Sequence, residues 1–121
     1  MNNNGINRKA YKFALKLQMR KEFPAAIIGA KSSYYSSVDK SGRNNSDVLF
    51  GKLRSKLLTI GNLYERHNGY LVGCCAEVQA ANKVLFKSPY TNLNAIIFSN
   101  AIRPRTMQTI KTCKNCEITF S

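Results

Sequence analysis

At 121 residues the chain is one domain long, enough to bury one modest core and too short for two. Nineteen Lys and Arg against six Asp and Glu give a net charge of +13, spread from Arg8 to Lys114, and a field of that sign points to a polyanionic partner, nucleic acid first. The longest apolar runs, Ala25 to Ala30 and Ala95 to Ser99, are far too short to span a bilayer, so no membrane partner is expected; the N-terminus lacks the layout of a signal peptide, and any export address is expected outside this chain.

Residues 1–6 read as flexible, and residues 1–121 as a single domain. Asn7 to Phe23 predicts a helix that ends before Pro24, whose ring disfavours helical geometry in the preceding residue. Lys9, Lys12, Lys16 and Arg20 form its basic stripe, and Tyr11, Phe13, Ala14, Leu15 and Leu17 its apolar side. Pro24 to Ala30 predicts a continuously apolar strand, and Ser33 to Asp39 a second, alternating one. Lys40 to Ser46 is dense in turn formers. Ser46 is a candidate N-cap for a helix running from Asp47 towards His67, lined by Leu49, Leu53, Leu57 and Ile60 and stopped by Asn68-Gly69; Gly51 and Gly61 weaken its continuity.

Tyr70 to Val72 leads into Gly73, and from Cys75 the pattern turns helical. Ala76, Ala80, Ala81, Val84 and Leu85 share a face, small enough to lie close on a sheet, and Pro89 closes the segment. Asn94 to Ser99 predicts an apolar strand, followed by a basic loop at Arg103 to Arg105 and a last helical turn near Cys113. The order is helix, two strands, helix, helix, strand, short helix, which fits an α/β layered domain with a small mixed sheet flanked by helices.

Chemistry concentrates in two segments, Gly73 to Glu77 and Thr112 to Cys116, each at a predicted helix start. The four cysteines, Cys74, Cys75, Cys113 and Cys116, allow two disulfides in three pairings, but Cys113 and Cys116 stand at metal-ligand spacing and a chain of this apolar content needs no staples. A helix N-terminus favours the thiolate form that a metal needs. Cys75, Cys113 and Cys116 make a three-sulfur zinc set with a fourth position left for water, the mark of catalytic rather than structural zinc. Glu77, two residues beyond Cys75, can stand beside that water without ligating the metal and move its proton. Cys74 reads as a small buried apolar residue. A four-cysteine clasp is disfavoured, because adjacent residues seldom both reach one tetrahedral ion. His67 is the only histidine and reads as a helix-end residue near the pocket mouth, with a substrate contact as the alternative.

Cys75-Ala76-Glu77 followed by Cys113-x-x-Cys116 resembles the signature of the zinc-dependent nucleobase (cytidine) deaminase superfamily, in which a three-cysteine site is an accepted variant. The stretch from Asn68 to Ala80, with the strand and Thr112 to Cys116, is most similar to the bacterial polymorphic-toxin deaminases of the YwqJ-like kind. The resemblance covers residues 68–117 well and extends more loosely to a hairpin over Ala25 to Asp39. It implies a compact cytidine-deaminase-like domain, a zinc cofactor, Glu77 as catalytic proton shuttle, and attack of a zinc-activated water on C4 of cytosine or C6 of adenine. It also implies delivery out of the producing cell, action in a recipient cytoplasm, and restraint by an acidic immunity protein. Thr112 departs from the proline usual before the first cysteine of the pair. The chain stops five residues after Cys116, leaving out the fourth and fifth strands of larger deaminases, as in a minimal or truncated member.

Two other readings compete. A free-cytidine deaminase shares Cys75-Ala76-Glu77, but a single nucleoside offers no backbone for a charge of +13 to track, whereas single-stranded DNA or RNA does. A non-catalytic basic zinc module that binds nucleic acid leaves Glu77 without a role. Arg103, Arg105, Lys114 and His67 are the expected substrate or nucleic-acid contacts.

Overall fold

The computed structural model describes residues 4–42, 49–111 and 114–121. Its first helix, α1 (Asn4–Met19), begins inside the segment expected to be flexible, because Ile6 is buried against the sheet. It ends four residues before the predicted stop. Lys21 takes a left-handed conformation (φ 60°), the Lys21 amide donates to the Gln18 carbonyl, and the Glu22 amide to the Leu17 carbonyl. Those two bonds satisfy the last carbonyls in the manner of a Schellman cap. The buried stripe of α1 is Ile6, Ala10, Ala14 and Leu17; Tyr11 and Leu15, expected on the apolar side, are exposed. The stripe is rotated because alanines let α1 approach the sheet closely, whereas Tyr11 and Leu15 would hold it away.

Strands β1 (Ile27–Lys31) and β2 (Ser36–Lys40) form the expected hairpin, paired from Ile27 with Lys40 to Lys31 with Ser36. On its other edge β1 meets β5 (Ile97–Phe98) and β6 (Ala101–Arg103), and β6 continues into β7 (Gln108–Ile110), giving the order β2-β1-β6-β7. Between β5 and β6 the register on β1 shifts by one residue, a bulge at Ser99–Asn100, where Ser99 Oγ accepts from the Gly29 amide at 2.7 Å. The domain is α/β as expected, but the pairings among the described residues are all antiparallel rather than mixed, since short hairpin turns join β1 to β2 and β6 to β7.

β1 is buried on both faces, which is why it reads as a continuous apolar run. Ile27 packs under α1 with Ala10, Ala14, Leu17 and Ile102. Ile28 and Ala30 point the other way, into a larger core built from α3 (Ala76–Lys87), α2 (Gly51–Leu58) and α4 (Lys114–Phe120). The result is three layers: α1, the sheet, and α3 with its neighbours. The alanines of α3 do lie on β1 and β2, as their spacing predicts.

The second predicted helix is much shorter than expected. Leu49, Leu53 and Leu57 are buried as anticipated, but α2 spans only Gly51–Leu58, and the proposed cap Ser46 with Asp47 lies outside the described residues. Beyond it, β3 (Arg66–His67) and β4 (Tyr70–Leu71) form a miniature hairpin. Asn68 (φ 54°) and Gly69 (φ 84°) are its two-residue turn, a type I′ geometry that Asn-Gly favours, and not the stop of a long helix. Arg103 likewise sits in β6 and not in a loop. No described helix is long and apolar enough to cross a membrane.

Candidate functional site

The site is built around the start of α3. Cys75 occupies the N-cap in an extended conformation (φ −68°, ψ 151°), and its side chain makes no capping bond. Ala76 and Glu77 open the first turn, where the positive end of the helix dipole favours a carboxylate. Glu77 is 4% exposed. A carboxylate at that depth is costly unless hydrogen bonds or a cation compensate it, and dipole compensation alone would be served equally well by a surface residue.

Cys74, Cys75 and Glu77 line a cavity of about 530 Å³, within the range typical of small-molecule sites. The start of α3 closes one side of it. A second side is the β3–β4 hairpin, contributing Arg66, Gly69 and Leu71, and a third is the β6–β7 hairpin, contributing Ala101, Arg103, Ile110 and Lys111. Ala25, Ala26, Ser41 and Gly42 complete the wall. Small side chains (Ala25, Ala26, Gly42, Ala76, Ala101) create the space, so the volume is a consequence of composition at five positions on four segments. Cys74, expected as a buried filler, is half-buried and reaches this wall.

Gln79, one turn into α3, holds the approach to Cys75 in place. Its carboxamide nitrogen donates to the Gly73 and Gly42 carbonyls, each at 2.9 Å, and the Gly42 amide donates in turn to the Cys74 carbonyl at 2.9 Å. One buried amide thus fixes both the turn that enters α3 and the chain leaving β2.

Cys116, in the first turn of α4, is 2% exposed and lies in the core cluster against which Cys75 packs. No two of Cys74, Cys75 and Cys116 pair in a disulfide among the described residues. Cys113 and Thr112 lie outside the described residues, and among those described no group of three or more His, Cys, Asp or Glu could hold a metal. Of the two described cysteines expected as ligands, Cys75 lines the cavity and Cys116 lies in the core cluster without reaching the cavity wall.

No protein-family model, curated protein or solved structure matches this chain.

Of the expected substrate contacts, Arg103 lines the cavity and the other three do not. The Arg105 guanidinium stands over the Phe23 ring, 4.5 Å from its centroid. Lys114 is exposed at the start of α4. The His67 ring fills the space above Gly61, where a Cβ would collide with it, and its carbonyl accepts from Asn115. Sequence reasoning missed Arg66 and Lys111. The signal for Arg66 was the Asn68-Gly69 turn: read as a hairpin, it pairs Arg66 with Leu71 on one wall.

Proposed function

We propose that the chain is a zinc-dependent hydrolytic deaminase acting on a nucleobase, cytosine foremost, in single-stranded nucleic acid. Glu77 carries the reading: a buried carboxylate in the first turn of α3, two residues from Cys75, on the wall of a cavity large enough for a base. Cys75, Cys113 and Cys116 would hold the metal. Zinc bound there supplies the Lewis acidity that lets water react near neutral pH.

In the overall reaction the oxygen of water bonds to the ring carbon bearing the amino group, the carbon–nitrogen bond breaks, ammonia leaves, and a ring carbonyl remains. Glu77 takes one proton from the attacking water and gives it to the ring nitrogen, which keeps it. It then takes the second from the new hydroxyl on the ring carbon and gives it to the departing amino group, so one carboxylate serves twice as base and twice as acid and ends ionised. The apolar lining, Leu71, Ala76, Ala101 and Ile110, suits the flat faces of a pyrimidine. The charge of +13 supports a polymeric substrate over a free nucleoside. In this reading the protein acts in the cytoplasm of a recipient cell, and its natural inhibitor is an acidic protein.

The test is sequencing of DNA and RNA from cells expressing the protein or its Glu77→Gln variant. Conversion of cytosine is expected only with the native chain, because glutamine keeps the size of Glu77 but takes no proton; the loss should be on the order of 10² to 10⁴ in rate. Equal conversion by both proteins, or none by either, would overturn the reading.

A further inference from the structure

The cavity has a charge pattern that the catalytic reading does not use. Its described walls carry one acid, Glu77, and three cations, Arg66, Arg103 and Lys111. The cations are exposed and Glu77 is buried, so the positive charges sit towards solvent and the carboxylate towards the interior. They are also divided between two structures. Arg66 belongs to the β3–β4 hairpin, where its Nη1 donates to the Gly69 carbonyl at 2.9 Å, one of the five donors of the guanidinium. Arg103 ends β6, paired with Gln108, and Lys111 directly follows the last residue of β7, Ile110, which pairs with Ala101 at the other end of the same ladder.

A nucleobase is neutral and needs no cation at the mouth of its pocket. The phosphates on either side of it do. The geometry points to Arg66 on one wall and Arg103 with Lys111 on the other as the readers of the two phosphates flanking the target nucleotide, which makes a short single strand, and not a nucleoside or a mononucleotide, the recognised substrate. This rests on the deaminase reading for the identity of the base, but not for the binding. Arginine suits the task because its planar fork meets phosphate oxygens two at a time, and its bond to Gly69 fixes the Arg66 fork in advance. Arg105, committed to the Phe23 ring and absent from the cavity wall, is expected to take no part.

Binding separates this inference from the chemistry. A fluorescently labelled nine-nucleotide single-stranded DNA, rich in cytosine, is titrated with the Glu77→Gln protein, which cannot turn it over. Adding Arg66→Gln, Arg103→Gln or Lys111→Gln should each weaken binding roughly ten-fold, as expected for a lost charge-assisted bond, and lower the dependence of log Kd on log salt by about 0.7. Arg105→Gln should stay within about two-fold. Arg66→Lys, which keeps charge but not the fork, should fall between. As competitors, a trinucleotide should exceed cytidine monophosphate, and that should exceed cytidine. Affinity unchanged in the three cavity variants, or cytidine competing as well as the trinucleotide, would overturn the inference even if the native protein deaminates. The expected binding pattern in a protein that deaminates nothing would uphold it while removing the proposed chemistry.

Discussion

The side chain of Asn115 joins the two halves of the candidate site: it accepts from Asn68 Nδ2 at 2.9 Å and donates to the His67 carbonyl at 2.9 Å. Asn115 lies between the two cysteines of the C-terminal pair and is 2% exposed, whereas Asn68 is the first residue of the β3–β4 turn. One carboxamide therefore ties the hairpin that carries Arg66 to the helix that carries Cys116.

Asn115→Ala removes both bonds and should cost about 1–3 kcal/mol, the usual penalty for stranding buried polar groups. Asn115→Asp should cost more. It still accepts from Asn68 but turns a carboxylate oxygen towards the His67 carbonyl, so attraction becomes repulsion. Thermal melting checks the order, native above alanine above aspartate. An aspartate variant as stable as the native protein would show that the donated bond contributes nothing.

Gln79 makes a parallel case on the other side of the cavity. Its amide nitrogen serves two carbonyls, Gly42 and Gly73, and a carboxylate at that position serves neither. Gln79→Glu should therefore destabilise by about 2 kcal/mol or more, and exceed the loss in Gln79→Ala, which strands the carbonyls without opposing them. Urea denaturation with unchanged m-values would give the comparison directly.

Close packing of α1 on the sheet can be tested at Gly29. A Cβ there would lie 2.7 Å from Ile6 Cγ1 and 2.8 Å from Ile6 Cδ1, so Gly29→Ala should destabilise by about 1–3 kcal/mol through overpacking. Ile6→Ala alone opens a cavity, at a cost of about 2–5 kcal/mol. Together the new methyl occupies part of the space that Ile6 vacates, so the double variant should lose less than the two single losses added, with a coupling of about 0.5–3 kcal/mol. Strict additivity would mean that Gly29 and Ile6 do not share that space.

Why some of this was legible in the sequence, and some not, follows from the range of the interactions involved. The start of α3 at Cys75 and its buried alanines were readable because local periodicity and one packing face determine them. So was the β1–β2 hairpin. The buried stripe of α1 was legible in part: Ala14 and Leu17 are buried as expected, but Tyr11 and Leu15 are exposed and Ile6 and Ala10 take their place, because the approach distance to β1 favours small residues there. The spacing of Leu49, Leu53 and Leu57 predicts a helix running on towards His67, whereas Asn68-Gly69 is a hairpin turn, because nothing local to the leucines marks where α2 stops. The turn from Pro104 to Met107, closed by the Met107 amide on the Arg103 carbonyl at 2.7 Å, was hidden in a basic stretch. The cavity was least legible of all. Arg66 of β3, Glu77 of α3, Arg103 of β6 and Lys111 after β7 meet only in the folded chain.

Metal content gives the last prediction. Cys116 is buried in the same cluster as Cys75, and a buried thiol can serve either as a small apolar filler or as a metal ligand. The two roles separate on substitution. If Cys116 only fills space, Cys116→Ala costs a modest packing loss and leaves any bound metal in place, while Cys116→Ser adds a hydroxyl to satisfy. If Cys116 is a ligand, alanine and serine both abolish tight binding and lower folded yield, because metal binding and folding are linked. The expected result is about one zinc per purified native chain, with little or none in Cys116→Ala, Cys116→Ser and Cys113→Ser. Cys74 reaches the cavity wall immediately before the N-cap, and adjacent residues seldom both reach one ion, so Cys74→Ser should retain its zinc. A chelator should lower the melting temperature of the native and Cys74→Ser proteins and leave that of Cys116→Ala unchanged. Full zinc occupancy in Cys116→Ala would remove Cys116 from the ligand set, and with it the three-sulfur centre on which the proposed chemistry depends.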